Sequence, residues 1–491
     1  MEEKKVVRII GSGIAGIAAS IRLAKKGFEV HVHEGNEYPG GKLTQIKLDK
    51  YRFDAGPSLF TLPQNVDELF ELCGENPREY FNYIKKDESC RYFWEDGKSL
   101  IAYSDIDKFI REAETSLGES GEAIRSHIKL AKKQYESTSA FFLERSLHRL
   151  KTYLRFSIFR AIIALPSLKL FSSMHSVHSR RFRTDHMIQI FDRYATFNGS
   201  SPYRAPGTLC MIPHLEFGIG TFLPEKGMID ITNSLVNLAS RQGVKFHFNE
   251  KVLKIISDRK EAQGIIVKRG NKELFLSSDI VVSNMDITPT YQKLLPHLNA
   301  PVKILTQERS SSALIFYWGI KSNFPELNLH NILFSKDYKE EFDSLFKSKN
   351  LSSDPTVYIN ITSKNIIQDA PKNSENWFVM INVPSDCGQD WNSIRLRAKN
   401  LILDKIQRIL GYDISSLIEC EEYLDPLKIQ SKTSSEKGSL YGSSSNSAFS
   451  AFLRHPNQRA LRNLYFCGGS AHPGGGIPLC LLSAKIVSDA I

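Results

Sequence analysis

Val6-Val7-Arg8-Ile9-Ile10-Gly11-Ser12-Gly13-Ile14-Ala15-Gly16 is the stretch from which the fold is read. An apolar, β-branched run breaks into glycines at the spacing of a strand–turn–helix unit. A tight turn calls for one glycine, close approach of an anionic ligand to the main chain for a second, and helix-on-sheet packing for a third. Gly11, Gly13 and Gly16 stand in those places. The next segment predicts a helix over 14–26. Ile14, Ile17, Ala18, Ile21 and Ala24 share a face, Arg22, Lys25 and Lys26 lie elsewhere, and Gly27 is a suitable stop. A second strand, Glu29–His33, then delivers Glu34, whose carboxylate can accept the hydroxyls of an adenosine ribose. The helix N-terminus offers N–H groups and a positive field to a pyrophosphate. The unit reads as the start of a dinucleotide-binding α/β domain.

Nicotinamide and flavin dinucleotides share this unit, so the discriminating residues lie beyond it. Tyr38-Pro39-Gly40-Gly41-Lys42 follows the acidic residue and resembles the Gly-Gly-Arg/Lys extension of FAD-dependent amine oxidases and desaturases. Two glycines let the main chain pass close to a second cofactor moiety, and Lys42 can meet phosphate or flavin polar atoms. Asp54-Ala55-Gly56-Pro57-Ser58 is another tight turn that suits the flavin side. At the far end of the chain, Leu464–Cys467 runs into Gly468-Gly469-Ser470-Ala471-His472-Pro473-Gly474-Gly475-Gly476-Ile477-Pro478. Signatures at both ends predict that the chain leaves a nucleotide-binding sheet and returns to close the site.

Composition narrows the class. With 491 residues, 41% hydrophobic and 24% charged, two or three globular domains are expected. Seven cysteines lie scattered without Cys-x-x-Cys spacing, which excludes a zinc site or a disulfide framework and fits a reducing cytoplasm. No metal is expected. Met1–Lys5 is charged and does not read as a signal peptide. No apolar run approaches the roughly 20 residues of a membrane span. The net charge of +10 is concentrated: residues 140–183 hold nine basic residues against Glu144 alone, which accounts for +8. On a helix, Leu147, Leu150, Leu154, Ile158, Ala161 and Leu165 share one face, Arg145, Arg149 and Arg160 oppose them, and Phe156, Phe159 and Ile163 add apolar surface on the far side. That composition suits a helix lying in an anionic membrane surface, or a lid packed on its own protein with a solvated basic face. No other stretch has the features of a nucleic-acid fold, so a nucleic-acid partner is not expected.

On these motifs, together with Asn198–Tyr203, Pro213-His214 and Ser312–Gly319, the chain resembles the bacterial phytoene desaturase family of carotenoid-modifying flavoenzymes over essentially its whole length. Ser470-Ala471-His472-Pro473-Gly474 departs from the family's usual Thr-His-Pro-Gly and, with Phe316-Tyr317-Trp318-Gly319, is most similar to the hydroxycarotenoid or γ-carotene 3,4-desaturases. The resemblance implies bound FAD and removal of two hydrogens from a long polyene. It also implies a Rossmann-type FAD-binding domain built from residues 1–70, 225–290 and 456–491. A mixed α+β substrate domain would come from 71–115 and 291–455, with a helical, membrane-facing lid from 116–224.

Cofactor contacts are expected from Gly11, Gly13, Gly16, Glu34, Gly40, Gly41, Lys42, Asp54, Gly56, Pro57, Val252, Gly468, Gly469, Gly474, Gly476, Ile477 and Pro478. His472 is the catalytic candidate, assisting the chemistry or shaping the flavin pocket. Phe316, Tyr317, Trp318 and Phe449 are candidate tunnel walls, since a polyene needs an aromatic and aliphatic channel. A carotenoid partner implies a cytoplasmic protein held peripherally at the membrane through 140–183. Coarser expectations are a strand over 244–249 continued by 252–256, and a loop or closing wall over the serine-rich 431–450. Carotenoid isomerase, phytoene desaturase, amine oxidase and a non-catalytic lipid carrier of the same fold remain alternatives from sequence.

Overall fold

Val6–Ile10 forms the middle of a parallel five-stranded sheet in a computed structural model that describes residues 4–148, 168–258 and 260–491. The strand order is Leu464–Phe466, Ile280–Ser283, Val6–Ile10, Glu29–His33, Lys245–His247. The chain therefore builds outward from the first strand in both directions, and strands close in space come from both ends of the sequence. Helices cover the sheet, and Val7, Ile9, Val30, Val32 and Val282 are all fully enclosed. The helix Ile14–Lys25 packs on this sheet between the helices Ile229–Arg241 and Ile477–Ser488. Ile17, Ile21, Leu235 and Leu481 meet in the shared core. Gly27, at φ +92°, ends the first helix.

Residues 244–249 and 252–256 do not form one continued strand. Lys245–His247 joins the parallel sheet, whereas Lys251–Ser257 starts a separate antiparallel sheet with Ala262–Arg269 and Lys272–Ser277. Asn249, with φ +56°, turns the chain between them. Local β propensity marks both strands but carries no information on their partners.

The second large sheet has seven strands in the order Ile418–Leu424, Ser312–Ile320, Glu375–Val383, Val357–Ile361, His330–Leu333, Glu88–Phe93, Ser99–Tyr103. Its pairs are antiparallel except His330–Leu333 with Glu88–Phe93. Successive side chains alternate between its two faces. Leu314, Phe316, Trp318, Trp377, Val379 and Ile359 point to one face, where the helix Trp391–Leu410 contributes Ile394, Ala398 and Ile402. Ala313, Ile315, Tyr317, Phe378 and Met380 point to the other face and line the main cavity. Phe316 and Trp318 are therefore not tunnel walls. Both faces of this strand are buried, so Ala313–Trp318 has no charged or small polar alternate and hides which parity faces the cavity.

Helices Ile106–Leu117, Gly121–Thr138, Met174–Ser179 and Asp185–Asp192 form a further layer. Asp105, Ser120, Ser173 and Thr184 cap their N-termini through side-chain oxygens. The layer buries Phe109, Ile124, Met187, Phe191 and Tyr194 in one cluster. The basic amphipathic helix read through Leu150, Leu154, Ile158, Ala161 and Leu165 falls outside the described residues.

The position of Phe316 in a core, behind the cavity wall, has a measurable consequence. Phe316→Ala is expected to lower stability by about 3–5 kcal/mol, read as an earlier unfolding transition in denaturant, with flavin retained by the folded fraction.

Candidate active site

The site grows from the C-terminal ends of the parallel strands, where a doubly wound sheet leaves a crevice. Its cavity measures about 1430 Å³, against roughly 300–1,000 Å³ for a usual small-molecule site. There is room for a cofactor and a second, long ligand. Two helices begin at this cavity, Ile14–Lys25 after Gly13 and Ile477–Ser488 after Gly476. Neither has a side-chain cap or an acidic residue in its first turn. Their free N–H groups and positive ends thus favour an anionic guest.

The glycine turn is held open by packing. A Cβ on Gly13 would stand 2.6 Å from Asn284 Oδ1, and one on Gly16 would stand 2.2 Å from the Gly11 carbonyl oxygen. Asn284 fastens the two ends of the chain: its N donates to Ile10 O (2.8 Å) and its Nδ2 donates to Cys467 O (3.1 Å). The Tyr38–Lys42 segment folds back on the first turn, with Gly40 N donating to Ser12 O (2.8 Å). Glu34 Oε2 accepts from Ser12 N (2.9 Å) and Ser12 Oγ (2.8 Å), and Oε1 accepts from Asn36 N (2.9 Å). Oε1 also accepts from Asn36 Nδ2 (3.0 Å), so the carboxylate is fixed beside the turn with its acceptor sites filled, and ribose hydroxyls would take the place of the Ser12 or Asn36 side-chain donors. Glu250 N donates to Glu34 O (2.8 Å), which brings Val252 to the same end.

Two cations, half-buried Lys42 and buried Arg454, face this space. Lys42 Nζ donates to Leu440 O (2.8 Å) and Ser439 O (3.2 Å). Arg454 Nη1 donates to Tyr441 O and Gly469 O (both 3.2 Å), and Nη2 donates to Ser443 O (3.1 Å). Among the described residues neither has an ion-pair partner. Burial pushes Lys42 down to about 8, with Asp286 and Cys480 opposing the shift. Burial likewise pushes Arg454 down to about 10. Cations lacking a carboxylate, a glycine cradle, two uncapped helix starts and an acid at the second strand together fit a dinucleotide diphosphate and its adenosine.

Of the residues expected at the cofactor, Gly11, Gly13, Glu34, Gly40, Gly41, Lys42, Gly56, Pro57, Val252, Gly468, Gly469, Gly476, Ile477 and Pro478 line the cavity. Three are displaced from it. Gly16 serves helix packing. Gly474 backs Arg454, whose Cζ would lie 3.1 Å from a Cβ there. Asp54 stands one layer behind, where it accepts from Arg52 Nη1 (2.8 Å), Met228 N (2.9 Å) and Ile229 N (3.2 Å) and so holds the start of the helix Ile229–Arg241. Tyr317 is a cavity wall, and its hydroxyl donates to Ala55 O (2.6 Å), tying the sheet to the Asp54–Ser58 turn. Phe449 is 61% exposed and outside the cavity wall, because the short helix Ser450–Leu453 turns it outward. His472 lines the cavity with Nε2 donating to Arg145 O (2.7 Å), and burial pushes it down to about 4. The ring is neutral near pH 7.

Sequence reasoning missed Asn284 and Arg454. Asn284 stands at the end of a strand-like run, the position where such sheets place ligand contacts, so a signal existed. Arg454 follows an aperiodic serine-rich stretch and has no local signature.

This geometry defines an FAD-dependent oxidoreductase. A model of the family described as flavin containing amine oxidoreductase matches residues 14–314, and the chain belongs to that family. It is 51% identical over 489 residues, covering 99% of both chains, to a 1-hydroxycarotenoid 3,4-desaturase from Flavobacterium sp. (strain P99-3). It is 30% identical over 514 residues to a phytoene desaturase from Fusarium fujikuroi, covering 99% of this chain and 89% of that one. An oxidoreductase from Methanosarcina mazei shares the fold at TM-score 0.63 and 15% identity, over 99% of this chain and 100% of that one.

The depressed Lys42 gives a signed pH dependence. An anionic diphosphate favours the protonated amine, so FAD affinity of the apoprotein is expected to fall as pH rises above about 8. A charged hydrogen bond contributes about 1.5–3 kcal/mol. Lys42→Met should therefore weaken FAD binding roughly 10–100-fold near pH 7 and flatten that pH dependence, both measured by flavin fluorescence titration.

Proposed function

We propose that the protein is a carotenoid desaturase that introduces a carbon–carbon double bond at the 3,4-position of a membrane-dissolved polyene. The observation that carries this reading is the 51% identity across the full chain, joined to one cavity that is glycine-lined at the dinucleotide end and apolar along the second sheet. FAD supplies the acceptor for the two electrons removed with the substrate's two hydrogens. Ile315, Tyr317, Phe378 and Met380 form an apolar floor from adjacent strands, and the Tyr317–Ala55 hydrogen bond holds that floor in register with the cofactor turn. A base at about 4 with its Nε2 committed to a carbonyl is poorly matched to proton abstraction near neutrality. His472 therefore shapes the pocket and ties the 139–148 segment to the cofactor loop. An intact cofactor cradle disfavours a non-catalytic carrier.

The deciding experiment supplies purified flavoprotein with acyclic carotenoids in vesicles. The expected product is lighter by two hydrogens, with absorption at longer wavelength. A product of unchanged mass would make the enzyme an isomerase, and no conversion with flavin bound would sink the desaturase reading.

A polyene confined to lipid requires an entry from the bilayer. Among the described residues, no helix is long and apolar enough to cross a membrane. The basic segment 140–183 supports surface contact, as does an apolar rim. Phe452 lines the cavity yet is 43% exposed, it packs against Phe142, and Phe449 and Leu453 beside it are also exposed. Phe171, within the basic segment, is 91% exposed. Exposed apolar residues among positive charges fit an anionic membrane surface. Phe449→Ser with Leu453→Ser is expected to cut co-sedimentation with anionic vesicles several-fold while the protein keeps its FAD. Undiminished sedimentation would refute the rim as a contact.

A further inference from the structure

A serine-rich wall closes the cavity where the second sheet meets the N-terminal βαβ unit. The chain leaves the strand Ile418–Leu424, forms the helix Pro426–Thr433 and runs on to Gly442. Asp425 caps that helix by accepting from Lys428 N (2.8 Å). The stretch 431–435 lines the cavity at its Glu34–Asn36 end, and 440–442 lines it at Lys42. One segment therefore spans the cofactor groove, from the acid expected at the ribose to the cation expected at the diphosphate.

Its attachments differ on the two sides. Toward the second sheet they are main-chain and close-set: Ser312 Oγ donates to Gly438 O (2.6 Å), Leu440 N to Ser311 O (3.2 Å), Tyr441 N to Ser310 Oγ (3.0 Å) and Ser310 N to Gly442 O (2.9 Å). Toward the βαβ unit, two side chains reach its carbonyls. Asn36 Nδ2 donates to Lys432 O (3.1 Å), and Lys42 Nζ donates to Leu440 O and Ser439 O. Packing adds little. Pro426 and Ile429 are buried, but Leu427 is exposed and Leu440 and Tyr441 are half-buried. Ser434 and Lys437 hold left-handed backbone at φ +54° and +56°, unfavourable for residues with a Cβ. A segment held by hydrogen bonds, with few buried apolar contacts, opens locally at low free energy.

We propose that Pro426–Gly442 is a strap that lifts from the βαβ unit to admit FAD and is latched over the bound cofactor by Asn36 and Lys42. An ammonium has three donors. Two of those on Lys42 meet strap carbonyls, and the third is left for an anionic guest. The guest holds the ammonium that holds the strap, so binding and closure reinforce each other. In the apoprotein the strap opens readily. In the loaded protein FAD leaves no faster than the strap lifts.

The test compares the FAD-loaded full chain with its apoprotein under limited trypsin digestion. Lys432 and Lys437 are exposed sites on the strap, and Lys272, exposed on the small antiparallel sheet, is the control. FAD is expected to slow cleavage after Lys432 and Lys437 about tenfold and to leave cleavage after Lys272 unchanged. Ser312 is fully enclosed and outside the cavity wall, so Ser312→Ala loosens the strap without touching the cofactor groove. It is expected to speed FAD release roughly fivefold, read as flavin fluorescence recovered on dilution. Gly438→Ala, whose Cβ would stand 2.3 Å from Pro426 O, should speed release further. Equal cleavage of the strap in apoprotein and loaded protein overturns the proposal. So does release at the wild-type rate in both variants, or equal slowing at all three lysines, which would make FAD a general stabiliser. These readouts follow cofactor exchange alone and are independent of which substrate the enzyme takes.

Discussion

Holding half-buried Lys42 and buried Arg454 at the cavity, neither ion-paired among the described residues, costs free energy that an anionic guest offsets. This constraint organises the molecule. The cations come from distant parts of the chain and are held by main-chain carbonyls at Ser439, Leu440, Tyr441, Ser443 and Gly469. Those carbonyls can converge only if the N-terminal βαβ unit, the 439–443 stretch and the C-terminal loop are folded against one another. Cofactor binding and closure of the chain on itself are therefore one event in energetic terms. Asn284, bonded to Ile10 on one side and Cys467 on the other, is the stitch between them.

A second theme is the division of labour within single strands. Ser312–Ile320 turns Tyr317 toward the cavity and Phe316 and Trp318 toward the helix Trp391–Leu410. Cavity lining and core packing are thus assigned to residues that are neighbours in sequence but lie on opposite sides of the sheet. The same economy appears at Asp54. This carboxylate, beside the cofactor turn, starts the helix Ile229–Arg241 and engages Arg52, which in turn binds Asp369.

What could be read from the chain follows from how local each feature is. Gly11–Gly16, Glu34, Gly40–Lys42 and Gly468–Pro478 were legible because turns, caps and strand ends have residue requirements within a few positions. The parity of Ser312–Ile320 was not, since a strand buried on both faces has no charged or small polar alternate over Ala313–Trp318 to mark its outer side. Arg454 was not legible either. Its importance lies in being a cation enclosed by main-chain carbonyls of distant segments, a property of the assembled environment. The partner of Lys251–Ser257 was hidden for a related reason: its own residues favour a strand without naming its neighbour.

The bond from Tyr317 to Ala55 has a mechanical corollary. Together with Arg52–Asp369 and the donation of Asn376 Nδ2 to Arg52 O (2.6 Å), it rivets the second sheet to the loop that carries Gly56 and Pro57. Ties of this kind oppose a hinge that would admit a rod-shaped molecule broadside. On the desaturase reading, a stiff polyene would then slide in lengthwise, leading with one tip, and reverse along the same track to leave. Turnover would then be paced by threading and withdrawal, and the order in which the two tips are processed would be set by which one the membrane presents first.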